Sequence, residues 1–387
     1  MHKRCARGCA GDAGARCCSH FGIAPRRKRR YLERRALPTL GSIVLYSPIA
    51  VTRDAPTPSL PLIDIAGLRS SDPAARLAVA ARLREACQQR GFFYVCNHGI
   101  DPALIDEVFA ASQRFFDLSL AEKLAVDKSL SPCNRGYEPL RAQTLETGAP
   151  PDLKESFYLG AEVPADDPRV LSGRFNTGPN QWPADLPGFR AAMQAYYRAA
   201  SALGATLVRG LALSLDLPED HFAGYLEDAA CTLRLLHYPP QPAQAQPREK
   251  GCGEHTDFGG ITLLLQDETG GLQVWDASRR DWIDAPPVPG AYVVNIGDLF
   301  ARWTNDRYVS TLHRVINRSG RERYSVPFFF TGNPLHRVAC LPTCLAQGET
   351  PRYPEVTVEE HLMACYRRTY AASGAATASA AGGRASA

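Results

Sequence analysis

The sequence predicts a mainly β protein with flanking helices, built as a jelly roll or a sandwich. From Cys231 onward, apolar and polar residues alternate with a period of two, which is typical of half-buried strands. The runs are short and are separated by Gly, Pro, Asn and Asp, as in two-sheet β architectures. The first half instead carries helix-capping residues and helical spacing, so we expect helices to pack around the β core.

The N-terminal half is predicted to alternate short strands with helices. One strand is expected over residues 61–65, and another over the aromatic, β-branched run 91–95. Asp72 and Asp101 each precede a proline, and an N-cap carboxylate followed by proline is a helix start signal. We therefore expect one helix from Asp72 to near residue 91 and a second from Asp101 to residue 116.

Three more helices have signals of their own. Ser119 and Glu122 form a capping box for a short helix. Apolar residues at helical spacing predict a long helix over residues 188–215. Thr357 with Glu360 caps a last helix that is expected to run to about residue 371.

The remaining predicted strands lie in the second half of the chain. They are expected at residues 232–238, 261–266, 272–275, 282–285, 292–296, 312–316 and 324–330. We predict a disordered basic extension over residues 1–60, an N-terminal region of helices and strands over 61–180, a jelly-roll domain with supporting helices over 181–372, and a disordered tail over 373–387.

Composition excludes several classes of protein. Residues 1–36 carry a net charge of +9, which leaves −5 on the rest, so the body has no basic face for nucleic acid. The basic run 26–35 resembles a nuclear signal, a nucleic-acid arm or a transit peptide, and a solvated extension is the interpretation we favour. The sequence contains no run of eighteen apolar residues, so it predicts no membrane-spanning helix. The twelve cysteines form no C-x-x-C pair, which favours reduced thiols and a cytoplasmic location.

Three residues form a candidate metal centre. His255 and Asp257 are two positions apart just before a predicted strand, so on extended backbone both side chains point to the same face. His313, from another strand, is the candidate third ligand. Two imidazoles and one carboxylate on one face of an octahedron leave three positions open, which is typical of Fe(II) that activates oxygen. Zinc instead prefers a closed tetrahedron or a single open position.

A candidate carboxylate receptor follows ten residues after His313. Arg323 and Ser325 share one face of a predicted strand. A guanidinium binds a carboxylate with two parallel hydrogen bonds, and the hydroxyl adds a further donor. An iron site beside such a receptor inside a β barrel predicts a pocket for 2-oxoglutarate.

Here the chain resembles the 2-oxoglutarate/Fe(II) dioxygenases close to isopenicillin N synthase and to the plant-type oxygenases. The resemblance covers roughly residues 60–370. In the C-terminal half it rests on H-T-D-x-G-x-I-T-L-L-L-Q-D (255–267), G-G-L-Q-V (270–274), N-I-G-D (295–298), W-T-N-D-R-Y-x-S-T-x-H-R-V (303–315) and R-Y-S-V-P-F-F (323–329). In the N-terminal half it rests on G-F-F-Y-V-x-N-H-G-I (91–100), F-F-D-L (115–118) and R-G-Y (135–137).

The resemblance implies a double-stranded β-helix with Fe(II), 2-oxoglutarate and O₂. His255, Asp257 and His313 match the family's iron ligands. Arg323 and Ser325 match the residues that bind the distal carboxylate of 2-oxoglutarate, and Tyr238 matches a tyrosine that often contacts it. Many plant members carry Asn two positions before this tyrosine, where this chain has Leu236, which puts that contact in question.

The implied activity is oxidation of a small organic substrate with release of succinate and CO₂, by hydroxylation, desaturation or ring closure. Four alternatives remain at this point. Two are other oxidations: ethylene formation from 2-oxoglutarate itself, and oxidation without 2-oxoglutarate as in isopenicillin N synthase. The others are a metal-binding or sensing module without turnover, and nucleic-acid modification guided by the basic arm, which is the least favoured. The sequence names neither the substrate nor an oligomeric state.

Other residues carry weaker expectations. Phe328 and Phe330 share a strand face and are expected to form the apolar wall of the cavity. His98 and His237 are expected to be structural. Asp298, which follows a glycine, is predicted to be a turn residue.

Overall fold

The computed structural model of the protein describes residues 60–146, 148–242, 244 and 248–372. The predicted basic extension and C-terminal tail therefore lie outside the described residues, apart from Leu60, which is buried. No helix within the described part of the chain is long and apolar enough to cross a membrane.

The predicted helices are present with their predicted caps. Asp72 and Asp101 accept hydrogen bonds from the backbone N–H two residues ahead, and Ser119 forms the capping box with Glu122. The described helices are α1 (Pro73–Gln89), α2 (Pro102–Phe116), α3 (Leu120–Leu124), α4 (Pro168–Leu171), α5 (Phe189–Ser214), α6 (Ala223–Leu226), α7 (Asp298–Trp303) and α8 (Val358–Ala372).

The strands form two main sheets, which confirms a mainly β core with flanking helices. In chain order the described strands are β1 (Leu62–Asp64), β2 (Phe92–Cys96), β3 (Gly136–Glu138), β4 (Glu155–Gly160), β5 (Thr232–Tyr238), β6 (Cys252–His255), β7 (Ile261–Gln266), β8 (Leu272–Asp276), β9 (Asp281–Asp284), β10 (Tyr292–Ile296), β11 (His313–Val315), β12 (Arg323–Phe330), β13 (Arg337–Val338) and β14 (Val356–Thr357). The large sheet has the order β1-β2-β10-β7-β12-β5-β4-β3 and the small one β6-β11-β8-β9.

Within the two main sheets, the prediction missed β3, β4 and β6, each for a physical reason. β3 and β6 are too short for a period to show. β4 is buried along nearly its whole length, so its residues do not alternate between apolar and polar. These strands matter because β3 and β4 continue the large sheet beside β5, so the N-terminal region completes the same β core.

The large sheet has one face against the helices and one face toward the small sheet. On the helix face, Phe328 packs edge-on against Tyr197 of α5, and Phe330 lies so close to Gly204 that a Cβ there would be 2.4 Å from its ring. This packing shows that the expected cavity wall of Phe328 and Phe330 was wrong. The predicted alternation along β12 was correct, but the prediction assigned the wrong residues to the inner face. The half-buried Phe329 lies on that face, together with Arg323 and Ser325.

His237 lies at the centre of a polar network on the helix face. Its Nδ1 is 2.7 Å from Oε1 of Glu155 on β4, and its Nε2 contacts Glu322, the residue just before β12. Lys123 and Tyr137 donate to the same Glu155. Burial disfavours the imidazolium, but the two carboxylates outweigh it and raise the pKa of His237. The charged ring thereby links three neighbouring strands.

We predict a pH-dependent stabilisation from His237. Because its folded-state pKa is raised, the stabilisation is complete below about pH 6.5 and is lost as pH rises through the folded-state pKa. His237→Gln should lower the free energy of unfolding by roughly 1.5–3 kcal/mol at pH 6, and by much less at pH 9. Urea unfolding of wild type and variant at both pH values measures the difference.

His98→Gln is the matched control. His98 packs edge-on against Tyr292, and burial lowers its pKa, so its contribution should not shrink as pH rises. A deficit of His237→Gln that stays constant between pH 6 and pH 9 would contradict the proposed charge on His237.

Candidate metal centre and carboxylate receptor

The small sheet brings the two candidate histidines together. His255 is the last residue of β6, His313 is the first of β11, and the antiparallel register places them directly opposite each other. Asp257 follows two residues after β6, on the connection that crosses to β7 of the large sheet. Its backbone carbonyl accepts a hydrogen bond of 2.7 Å from the N–H of Asp298, which fixes that connection.

The three side chains converge on one point. Nε2 of His255 and Nε2 of His313 each lie 3.8 Å from Oδ1 of Asp257. One ligand atom from each residue lies within 4.8 Å of the others, and no other such cluster of three His, Cys, Asp or Glu side chains occurs among the described residues. Two atoms bonded to one ion at about 2.1 Å each are at most about 4.2 Å apart, and the two separations of 3.8 Å lie within that reach. The structure thus assembles the predicted triad.

Hydrogen bonds orient the ligand atoms inward. Nδ1 of His255 donates to the carbonyl of Gly253, and Nδ1 of His313 donates to that of Thr311, at 2.8 and 3.2 Å. Because a carbonyl only accepts, each Nδ1 carries the proton and each Nε2 presents a lone pair. Oδ2 of Asp257 is likewise occupied by other residues, which leaves Oδ1 for a metal. This donor set fits the facial triad of a non-haem Fe(II) site.

Two polar residues of the large sheet hold Asp257. Thr262 Oγ1 on β7 and Asn295 Nδ2 on β10 donate to Oδ2 of Asp257 at 2.5 and 2.7 Å. The sequence analysis missed both. The signal was present, since each is a polar residue in an otherwise apolar strand, and a buried polar side chain needs a partner.

Burial and mutual contact set the charges of the triad. Burial lowers the pKa of both His255 and His313, so both imidazoles are neutral near pH 7. Burial acts to raise the pKa of Asp257, but the two histidines and the hydrogen bond from Thr262 outweigh it and hold that pKa below its usual value. Two neutral imidazoles beside one carboxylate are the protonation states that a divalent metal requires.

Asp298 connects the two loops that carry the ligands. It is not the simple turn residue that the sequence analysis predicted, because it begins α7. Ser310 donates to its Oδ1 at 2.6 Å, and Thr256 donates to its Oδ2 at 3.3 Å. The carboxylate therefore joins the segment before His313 to the residue between His255 and Asp257.

Arg323 is buried on the inner face without an opposite charge. Its side chain is 0% exposed, and it donates to the carbonyl of Gly270, to Ser325 Oγ at 3.1 Å and to Gln266 Oε1 at 3.1 Å. Among the described residues, no carboxylate forms a salt bridge with it. An ionised group buried without a partner is strongly unfavourable, so this arrangement fits a receptor for an anion.

Tyr238 forms one wall of this receptor. It is paired with Arg323 across β5 and β12, and the guanidinium lies 4.7 Å from the centre of its ring. Burial raises the pKa of Tyr238, so its hydroxyl stays protonated and able to donate. Leu236, where many relatives of the plant type carry Asn, is paired with Ser325 and adds an apolar surface.

A β-helix core, a histidine–aspartate–histidine triad and a buried anion receptor together define a non-haem Fe(II) oxygenase. Two family models match the chain: the N-terminal model of "non-haem dioxygenase in morphine synthesis" over residues 60–185, and the "2OG-Fe(II) oxygenase superfamily" over residues 229–332. The chain belongs to the 2OG-Fe(II) oxygenase superfamily.

Individual relatives agree with this membership. The chain is 49% identical to the 2-oxoglutarate-Fe(II) type oxidoreductase hxnY of Emericella nidulans, over 82% of this chain and 91% of that protein. It is 43% identical to the 2-oxoglutarate-dependent dioxygenase citB of Monascus ruber, over 80% and 95%. A full-length Neurospora crassa protein, crystallised in complex with alpha-KG and thymine, superposes with a TM-score of 0.70 at 33% identity, over 81% and 96%.

These comparisons establish the enzyme class. The protein is an oxidoreductase, a dioxygenase of small organic substrates that uses Fe(II), 2-oxoglutarate and O₂. They do not favour ethylene formation, oxidation without 2-oxoglutarate, or a metal module without turnover.

We predict that Thr262 strengthens iron binding through Asp257. Thr262→Val keeps the branched shape but removes the hydrogen bond to Oδ2, which frees the carboxylate to rotate. Loss of such a partner typically weakens metal affinity about tenfold or more. Anaerobic competition for Fe(II) against a coloured chelator measures the change.

Thr304→Val is the matched control. Thr304 is also fully buried, but its hydroxyl donates to the carbonyl of Phe300 within α7. The control should bind Fe(II) like the wild type. Equal losses in the two variants would show that Thr262 acts on folding and not on the metal.

Proposed function

We propose that His255, Asp257 and His313 hold Fe(II), and that Arg323, Ser325 and Tyr238 bind the distal carboxylate of 2-oxoglutarate. The observation that carries this proposal is the buried, uncompensated charge of Arg323 on the inner face of β12. A cosubstrate with carboxylates at its two ends satisfies that charge at one end and reaches the metal at the other.

The residues of the chain would orient the reactants and exclude water. When bound, Fe(II) supplies oxygen activation coupled to the conversion of 2-oxoglutarate to succinate and CO₂. Phe92 packs edge-on against the ring of His313, with ring centres 5.1 Å apart, and shields it from solvent. Leu236 and Phe329 add apolar surface on the inner face of the large sheet. A dry pocket of this kind limits unproductive reactions.

The substrate is proposed to be a small organic molecule, oxidised by hydroxylation, desaturation or ring closure. The relatives named above support a small substrate. We further propose the region boundaries 61–180 and 181–372. A cytoplasmic location is proposed because every cysteine among the described residues is a free thiol.

The test is an anaerobic titration of the full-length protein with Fe(II) and 2-oxoglutarate. We expect a weak visible metal-to-ligand band from the chelate. Arg323→Ala should weaken 2-oxoglutarate binding by about a hundredfold, because it removes a charged receptor from a buried site. His313→Ala should abolish the band by removing a metal ligand. Succinate release in air then serves to screen substrates.

Arg302→Ala is the matched arginine control. Arg302 stacks on Tyr353 and donates to the carbonyl of Pro354, so these contacts involve neither the triad nor the receptor. It should titrate like the wild type. Bound iron without a visible band in the wild type would contradict the proposed cosubstrate site.

A further inference from the structure

A second buried arginine lies on the inner face of the large sheet. Arg234 is only 7% exposed and occupies β5 two residues before Leu236, so both side chains point toward the small sheet. Leu236 is paired with Ser325 of the receptor, and Thr232 is paired with Phe329. Arg234 therefore lies between the receptor and the level of Phe329, on the strand next to β12.

The proposed metal site lies at the level of Phe329. Phe329 is paired with Thr262 of β7, and Thr262 donates to Asp257. The position of Arg234 is thus beside the space between the triad and the receptor. A molecule held there would lie next to the bound cosubstrate.

The contacts of Arg234 leave part of its guanidinium unused. Its Nη2 donates to Glu138 Oε2 at 2.9 Å, to Ser156 Oγ at 2.7 Å and to Gln143 Oε1 at 3.1 Å, while the guanidinium stacks on Tyr158 at 4.4 Å. Its Nε is buried and has no hydrogen-bond partner among the described residues. A buried donor without a partner is unfavourable, and a ligand oxygen would satisfy it.

The charge around Arg234 is also incomplete. Glu138 is its only salt-bridge partner within the described residues, and Lys128 binds the other oxygen of the same carboxylate at 3.1 Å. The neighbouring buried lysine, Lys154, is already neutralised by Asp152. Among the ion pairs of the described residues, two cations, the partly exposed Lys128 and the buried Arg234, therefore share one anion.

We propose that Arg234 is a substrate-recognition residue that binds a negatively charged oxygen, a carboxylate or an acidic phenolate, on a small aromatic substrate. This inference rests on the proposed function, because Arg323 and the metal are there assigned to 2-oxoglutarate. Arg234 then offers a separate charge for the substrate. The half-buried ring of Phe329, on the same face, offers an apolar wall for a flat molecule.

The test compares anions with neutral molecules of the same shape. The anaerobic Fe(II)·2-oxoglutarate complex of the full chain is titrated with benzoate against benzamide, and with pentafluorophenolate against pentafluoroanisole. Binding is read from the perturbation of the visible band, which does not depend on turnover. We expect at least one anion to bind about tenfold or more tightly than its neutral partner, and the two pairs distinguish carboxylate from phenolate.

Three variants test the residue. Arg234→Gln should abolish the preference for the anion while 2-oxoglutarate binds as in the wild type. Arg234→Lys should restore part of the preference because it restores the charge, which a purely structural role would not predict. Arg302→Gln, a matched change at another arginine that stacks on tyrosine, should keep the full preference.

The possible outcomes separate the two proposals. Absence of the visible band in the wild type would contradict the proposed cosubstrate site itself. A normal band that no anion perturbs at millimolar concentration would overturn the role of Arg234 alone. So would a preference for the anion that persists in Arg234→Gln. A preference that Arg234→Gln removes and Arg234→Lys partly restores supports it.

Discussion

The antiparallel pairing of β6 with β11 is the constraint on which the site depends. It places His255 opposite His313, two residues that are far apart in the sequence, and Asp257 enters from the connection that leaves β6. The register is specific because a shift of one residue would turn one histidine to the outer face. Asp298 reinforces it by joining the segments on both sides of the pair.

The triad also depends on the large sheet, although both histidines belong to the small one. Thr262 and Asn295 lie on neighbouring strands of the large sheet and fix the second oxygen of Asp257. The triad is therefore built across the interface of the two sheets, so the two sheets must pack correctly before its three side chains converge. Polar groups whose hydrogen bonds are all satisfied make such a core specific to one arrangement.

The sequence predicted what local signals encode. Caps such as Asp72 and Ser119 and most strands of the second half were correct, and the structure places His255 directly opposite His313. What it could not predict depends on tertiary packing. Alternation along β12 showed that Phe328 and Phe329 face opposite ways, but only the contact with α5 decides which face is the interior. The partners of Asp257 come from strands whose neighbours are not adjacent in the chain.

On the inner face of the large sheet, different strands position different parts of the site. β7 and β10 use their polar inner residues to hold Asp257, and the start of β12 with the end of β5 surrounds Arg323. Further inner positions belong to β3, β4 and the first half of β5, where Glu138, Tyr158 and Arg234 meet. Because β3 and β4 come from the N-terminal region, that region completes the surroundings of Arg234, the residue proposed to recognise the substrate.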